Sequence, residues 1–458
     1  MIFSSISFLS LFLPLLLSVY YLSPKKIRNI ILLLFSLVFY YMGEKWYVLL
    51  LVFTCFVNYI AGLLMKKYNA KIVLTLGLIF NLGLLFYFKY TNFFLNTFIN
   101  LFGFSKVTLN IILPLGISFF TFQNVSYLID VYKKGVEPQK SFITYATYIT
   151  LFPQLIAGPI VRYQDVEKEL SSRSVTFTLF SEGVKRFIIG LSKKVLIADT
   201  IYQVYNTFLT SELSACSYLL IGICFTLQLY YDFSGYSDMA IGLGKMFGFQ
   251  LKENFNYPLI ASSITDFWRR WHISLSSFLK DYVYIPLGGN RKGTKRQIFN
   301  LLIVWSLTGL WHGADWNFIL WGLYFFILLI FEKFFLKKYL KEGLIAHCYT
   351  FIFIILSFIL FSIPDLKELS IFLKGCLGIN VAFWNQEFFY YFLQSIPILS
   401  IALLGIGPWL KNYYQKLQKG KWKKGFYFGE IFFYLSLLLF VIASIVASSY
   451  HPFIYFRF

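Results

Sequence analysis

Apolar runs long enough to cross a bilayer recur from one end of this chain to the other, and that feature restricts its fold more than any other. They lie at roughly residues 5–22, 27–42, 46–65, 71–90, 113–131, 215–231, 298–330, 349–363, 388–406 and 430–449, with shorter runs at 142–157 and 186–205. A helix needs about 20 apolar residues to span the hydrocarbon core. Only 14% of residues are charged and 58% are hydrophobic, whereas about a quarter are charged in a soluble domain. The pattern predicts an all-α polytopic membrane protein of about ten to twelve membrane elements, because backbone in lipid must satisfy its own hydrogen bonds.

The net charge of +20 does not mark a nucleic-acid binder. The lysines and arginines fall between apolar runs and form no continuous stripe, which is the pattern of loop charge beside a membrane. Lys25, Lys26 and Arg28 follow the first run, Lys66, Lys67 and Lys71 the third, and Lys133, Lys134 and Lys140 the fifth; the alternate loops hold only Lys45, Lys89 and Lys106. Basic residues concentrate in cytoplasmic loops, so the N-terminus is expected outside. Lys411, Lys416, Lys419, Lys421, Lys423 and Lys424 are expected inside, so the last helix runs outward and the tail 450–458 emerges on the outer face. The N-terminal run has no basic residue before it and no small-residue cleavage site, so it reads as an uncleaved first helix. Cys55, Cys216, Cys224, Cys348 and Cys376 are scattered without pairing or metal-ligand spacing and read as packing residues. No transporter-type repeat and no long linker stands out, so residues 1–458 read as a single membrane-embedded domain.

An ionisable group at membrane depth costs roughly 2.5–3.5 kcal/mol on insertion scales, so polar residues inside apolar runs point to function. His312 sits in "SLTGLWHGADWNFILWG", within a run longer than one span needs, with Gly309 and Gly313 beside it and Asp315 and Asn317 after it. A glycine-rich polar break at that depth is tolerated where it lines a cavity or is buried in protein. The alternative is a structural histidine bonded to a neighbouring helix, with Trp311 and Trp316 as interface anchors. His272 lies in "SSITDFWRRWHISLSSFLKDYVYIPLGGNRKGTKR". Ser263 or Thr265 is placed to cap a helix on which Trp268, Trp271, Leu275 and Phe278 share a face. That helix reads as amphipathic and interfacial with a solvated basic face, or as the lining of an entry that grips an anionic donor. The following "GGNRKGTK" lacks the order and the preceding strand of a phosphate loop. His272 and His312 have no Cys or third His nearby, so no metal site is expected.

Five segments carry a family resemblance. "LPLGISFFTFQNVSYLIDVYKK" (113–134), "FPQLIAGPIVR" (152–162), "LYYDFSGYSDMAIGLGKMFGF" (229–249), "DFWRRWHISLSSFLKDYVYIPLGGNRKG" (266–293) and "TGLWHGADWNFILWG" (308–322) resemble the membrane-bound O-acyltransferase (MBOAT) superfamily. More closely they resemble its bacterial alginate and peptidoglycan O-acetyltransferase branch, with D-alanyl transferases of the DltB type as relatives.

The resemblance implies a ring of tilted helices whose inner and outer funnels meet in a central tunnel, in the bacterial cytoplasmic (inner) membrane. It implies transfer of an acyl group, here acetyl, from a cytoplasmic thioester to an extracytoplasmic acceptor. His312 matches the catalytic position and His272 the second polar position; Asp266, Arg269, Arg270 and Asn317 are carried as substrate-binding candidates. The donor, acetyl-CoA or an acyl carrier protein, is a substrate, and no cofactor is bound permanently. A separate extracytoplasmic esterase-type O-acyltransferase is the expected partner, beside the lipid bilayer and the donor, with no nucleic acid. The tail "HPFIYFRF" resembles the F-x-Y-x-x-F acyl-relay pattern of this branch, which makes Tyr455 a third catalytic candidate; read alone, it is an aromatic interface anchor. D-alanyl export, lipid or protein acylation, and a non-enzymatic transporter or flippase are the alternatives.

The chemistry fits an imidazole. Its unperturbed pKa near 6.5 leaves it neutral and basic at pH 7, as removal of a proton from an attacking hydroxyl requires.

Overall fold

The computed structural model describes residues 2–103, 109–336, 339–340, 343–419 and 423–447. Among these residues every regular element is helical, and eight helices are long and apolar enough to cross a membrane: Lys25–Glu44, Tyr47–Leu64, Ala70–Phe102, Ala215–Met246, Trp316–Leu336, Leu344–Ser362, Gln386–Gly405 and Gly425–Ala447. A shorter apolar helix, Phe8–Leu22, precedes them. The chain is thus an all-α polytopic membrane protein.

The structure departs from the apolar runs where local chemistry interrupts them. The run at 113–131 becomes the 16-residue helix Ile117–Tyr132, buried along most of its length, Gln123, Asn124 and Asp130 included. It is apolar because protein encloses it, not because it faces lipid. The run at 142–157 breaks at Leu151 into Phe142–Thr150 and the single turn Phe152–Leu155, whose Pro153 lies in the first turn, where a missing N–H costs nothing. Lys89, read from the sequence as a loop residue, lies in a π-helical turn, Phe86–Tyr90, inside the continuous stretch Ala70–Phe102. Its Nζ reaches Ser118 Oγ at 3.4 Å.

The chain divides into two compact units. One holds the residues up to Phe187 together with Ser237–Lys252; the other holds Ile188–Tyr236 and the described residues from Glu253 on. In the first, Phe3, Phe8, Phe12, Phe39 and Phe152 form one cluster with ring centroids 5.1–6.2 Å apart. There Arg173 donates from Nε to the Tyr20 hydroxyl at 2.9 Å and from Nη1 to Asn29 Oδ1 at 2.6 Å.

The second unit carries both sequence-predicted histidines, and a buried ion cluster sets the angle of one of its walls. Lys194, in the π-helical turn Lys193–Ala198, places Nζ 2.6 Å from Asp199 and 3.0 Å from Asp232. Lys194 and Asp232 are both buried. Phe233, the next residue on the helix Ala215–Met246, points its ring at His272, with centroids 4.9 Å apart and planes at 88°. The ion cluster therefore fixes which face of that helix meets the histidine. Removing one partner of a buried ion cluster costs about 3–5 kcal/mol, because the remaining charges have lost their solvent. Lys194→Met leaves Asp199 and Asp232 without that cation, so its thermal midpoint in detergent should fall by several degrees; an unchanged midpoint would remove the cluster from the account.

Candidate active site

The helix Thr294–His312 ends on His312, and the next helix starts at Trp316 after Asp315 caps it, accepting from the Trp316 N–H at 2.6 Å. The apolar run 298–330 is therefore two helices with the histidine at their junction. They approach so closely that side chains are excluded: a Cβ on Gly322 would stand 2.3 Å from the Trp305 carbonyl oxygen, and one on Gly313 would stand 2.0 Å from the Phe318 ring. The motif glycines are requirements of this contact, and the contact holds His312 in place.

His312 is 6% exposed. Its Nδ1 lies 2.7 Å from the Thr308 carbonyl oxygen. A carbonyl only accepts, so Nδ1 carries a proton in this bond. Rings enclose it: Trp321 at 4.8 Å, Trp311 at 5.0 Å, Phe361 at 5.7 Å and His272 at 6.5 Å, centroid to centroid.

His272 breaks the helix that the sequence predicts around it. Ile264–Arg270, capped by Ser263 through the Asp266 N–H at 3.0 Å, and Ile273–Leu279 are separate helices. The backbone turns between them at His272, whose φ is +45°, a left-handed conformation that costs a non-glycine residue about 1–3 kcal/mol. Trp268, Trp271, Leu275 and Phe278 are all buried; the segment is two short helices with a buried imidazole between them, in place of one interfacial helix with a solvated face. His272 is fully buried and lies outside the eight spans. Its burial, with His312 beside it, pulls its pKa well below the ordinary histidine value, so it is neutral at pH 7.

A residue that sequence reasoning passed over orients His272. Asn254 Oδ1 accepts from the Ser274 backbone N–H at 3.1 Å and the Ser274 hydroxyl at 2.8 Å, and lies 3.2 Å from His272 Nδ1. The backbone N–H cannot be reversed, so the amide orientation is fixed and Nδ1 is the protonated nitrogen. His272 Nε2, Asn254 Nδ2, Trp321 Nε1 and Asn317 Oδ1 are buried polar atoms with no hydrogen-bond partner among the described residues. Each such atom costs about 1–3 kcal/mol, and such groups in a native structure call for an explanation such as a ligand or water.

The remaining sequence candidates divide. Asn317 is buried beside this shell and ties two helices by donating from Nδ2 to the Phe361 carbonyl at 2.9 Å. Asp266 and Arg270 are paired with each other at 2.8 Å, and Arg269 is exposed, so these three lie on the polar side of their helix. Tyr455 lies outside the described residues. No spacing rule marks Asn254, Phe233, Trp321 or Phe361, because each reaches the histidines through tertiary packing; Thr308 stands one helical turn before His312. A cavity of about 300 Å³ adjoins the shell, with Trp268, Leu275, Lys280, Tyr284, Trp305 and Thr308 among its lining. None of the five cysteines forms a disulfide.

The profile of the MBOAT, membrane-bound O-acyltransferase family, matches residues 32–369, an interval that includes both histidines and Asn254. The chain is 37% identical to a probable alginate O-acetylase of Pseudomonas putida over 100% of each sequence. A probable alginate O-acetylase of Azotobacter vinelandii is 46% identical over 70% of this chain and 66% of its own length. A peptidoglycan O-acetyltransferase of Helicobacter pylori is 37% identical over 83% of this chain and 80% of its own length.

Proposed function

The chain belongs to the membrane-bound O-acyltransferase family, and from that premise we propose that it moves an acetyl group from a cytoplasmic thioester to an extracytoplasmic acceptor, for O-acetylation of an envelope polysaccharide of the alginate or peptidoglycan kind. It is an acyltransferase and a multi-pass membrane protein; the donor, the direction and the polymer are the proposal. The names of the relatives support acetyl and polysaccharide. The lysine asymmetry of the loops supports both termini lying outside.

One observation supports the mechanism: the Nδ1–H of His312 is committed to the Thr308 carbonyl, and Nε2 is the nitrogen assigned here as the base. In the proposed reaction Nε2 takes the proton of the attacking hydroxyl as its oxygen forms a bond to the thioester carbon. The tetrahedral adduct then breaks its C–S bond, and the imidazolium returns the proton to the leaving sulfur. No net proton is released, and the base is ready for the next turnover. The apolar cavity that reaches Thr308 and Lys280 is assigned to the arm of the donor. Lys280 is exposed and suits an anionic group beyond that arm, a task for which Arg269 is also available.

Tyr455 supplies the first acceptor in this reading, which rests on the tail sequence alone. A phenol with pKa near 10 is easier to deprotonate than an aliphatic alcohol. Thioester, aryl ester and sugar ester form a downhill series, so the tail can pass acetyl to the hydroxyl of a separate extracytoplasmic partner.

His312→Gln should lower acetyl transfer by roughly 10²–10⁴-fold while the protein still inserts and purifies. Tyr455→Phe should stop export to the partner, and wild-type protein given donor alone should gain one acetyl on its C-terminal peptide. Normal turnover by purified His312→Gln contradicts the base assignment. Label from the donor found in phospholipid or protein, with none in polysaccharide, contradicts the substrate class.

A further inference from the structure

His272 has a defined hydrogen-bonding polarity, and that polarity selects what it can hold. Asn254 Oδ1 receives three donors, of which the Ser274 backbone N–H and hydroxyl are independent of the imidazole. The third position, 3.2 Å away, is His272 Nδ1. The neutral ring therefore presents Nε2 as an acceptor only, and that atom is buried and has no partner among the described residues. It cannot donate to an oxyanion, which excludes that role for the neutral ring. Nor does the attacking hydroxyl suit it, since a hydroxyl has one proton and His312 Nε2 takes that one in the proposed reaction. The occupant must be a different X–H group, within reach of a ring whose centroid is 6.5 Å from that of His312.

A pantetheine thioester brings one such group. Two methylenes separate its sulfur from an amide N–H, so an acyl carbon held at His312 carries that N–H a few ångströms away. Acetyl-CoA and an acyl carrier protein share this arm. We propose that Asn254 is a positioning residue that makes His272 an obligate acceptor, and that His272 Nε2 binds the amide N–H nearest the sulfur of a pantetheine thioester. The inference rests on the thioester reading given above. It assigns to Asn254 the task of choosing the tautomer, and to the left-handed turn at His272, φ +45°, the task of bringing the ring inward.

The test compares two small donors in the purified full-length protein: S-acetyl-N-acetylcysteamine, which has the amide, and a thioacetate of matched length with a methylene in place of the N–H. The wild type should favour the amide by roughly tenfold or more in kcat/KM, the scale of one buried hydrogen bond lost with its partner left unsatisfied. Asn254→Ala and His272→Gly, the latter suited to the left-handed backbone, should bring the ratio close to one. A merely structural role would lower both rates and leave the ratio where it was. Equal use of both donors by the wild type, a result that needs no variant, overturns the inference, as does a ratio that survives in both variants. Failure of the wild type to use any thioester, acetyl-CoA and an acetylated carrier protein included, overturns the thioester reading itself. Transfer from either of those two natural bearers fits the inference equally and identifies which one the protein uses.

Discussion

An imidazole inside an aromatic shell must give its Nδ1–H to a fixed acceptor, and this chain meets that demand twice. The Thr308 carbonyl takes the proton of His312 and the Asn254 amide oxygen takes that of His272. Both acceptors engage Nδ1, and the two ring centroids are 6.5 Å apart. The remaining features of the site follow from holding two such rings in that relation. Phe233, Trp311, Trp321 and Phe361 pack their rings against the two imidazoles. A few buried polar atoms beside them have no partner among the described residues, a cost that a bound substrate can relieve.

The supports are backbone contacts and buried ions, both of which resist small adjustments. Gly322 lets the two helices that meet near His312 touch through their main chains, with the Trp305 carbonyl where a methyl would be. Lys194, Asp199 and Asp232 lock the helix that carries Phe233. A site built this way is positioned by the core of its own unit. The exposed faces of the membrane helices are left to meet lipid.

What the sequence made legible was what obeys short-range rules. Spans of lipid-facing helix are long and apolar, so Tyr47–Leu64 was read to within a residue at each end, while Leu344–Ser362 begins five residues before the apolar run at 349–363. His312 was conspicuous because a titratable residue between glycines is rare in such a run, and the family motifs marked His272. Ile117–Tyr132 reads like a lipid-facing run although it is buried, because complete burial in protein and exposure to lipid favour the same residues. The helix around His272 was read as continuous because the side chains on its buried face keep helical spacing through the break; the positive φ has no signature in that pattern. Asp266 and Arg270 are four residues apart, the ordinary spacing of a helix-surface pair, and that is how they are found. Asn254 was invisible, 18 residues upstream of the ring it orients, because a contact of that kind is a property of the fold.

The central claim is that the acetyl group changes sides while its carrier does not, and compartment analysis of reconstituted vesicles tests it most directly. Purified protein in sealed proteoliposomes, in the orientation set by its basic loops, is given labelled acetyl donor on the face of those loops and its acceptor partner on the other. The account predicts labelled ester on the acceptor side and the free thiol of the donor on the side where it was supplied, with both lost in His312→Gln. Intact donor appearing on the acceptor side, or ester and thiol released together in one compartment, would contradict it.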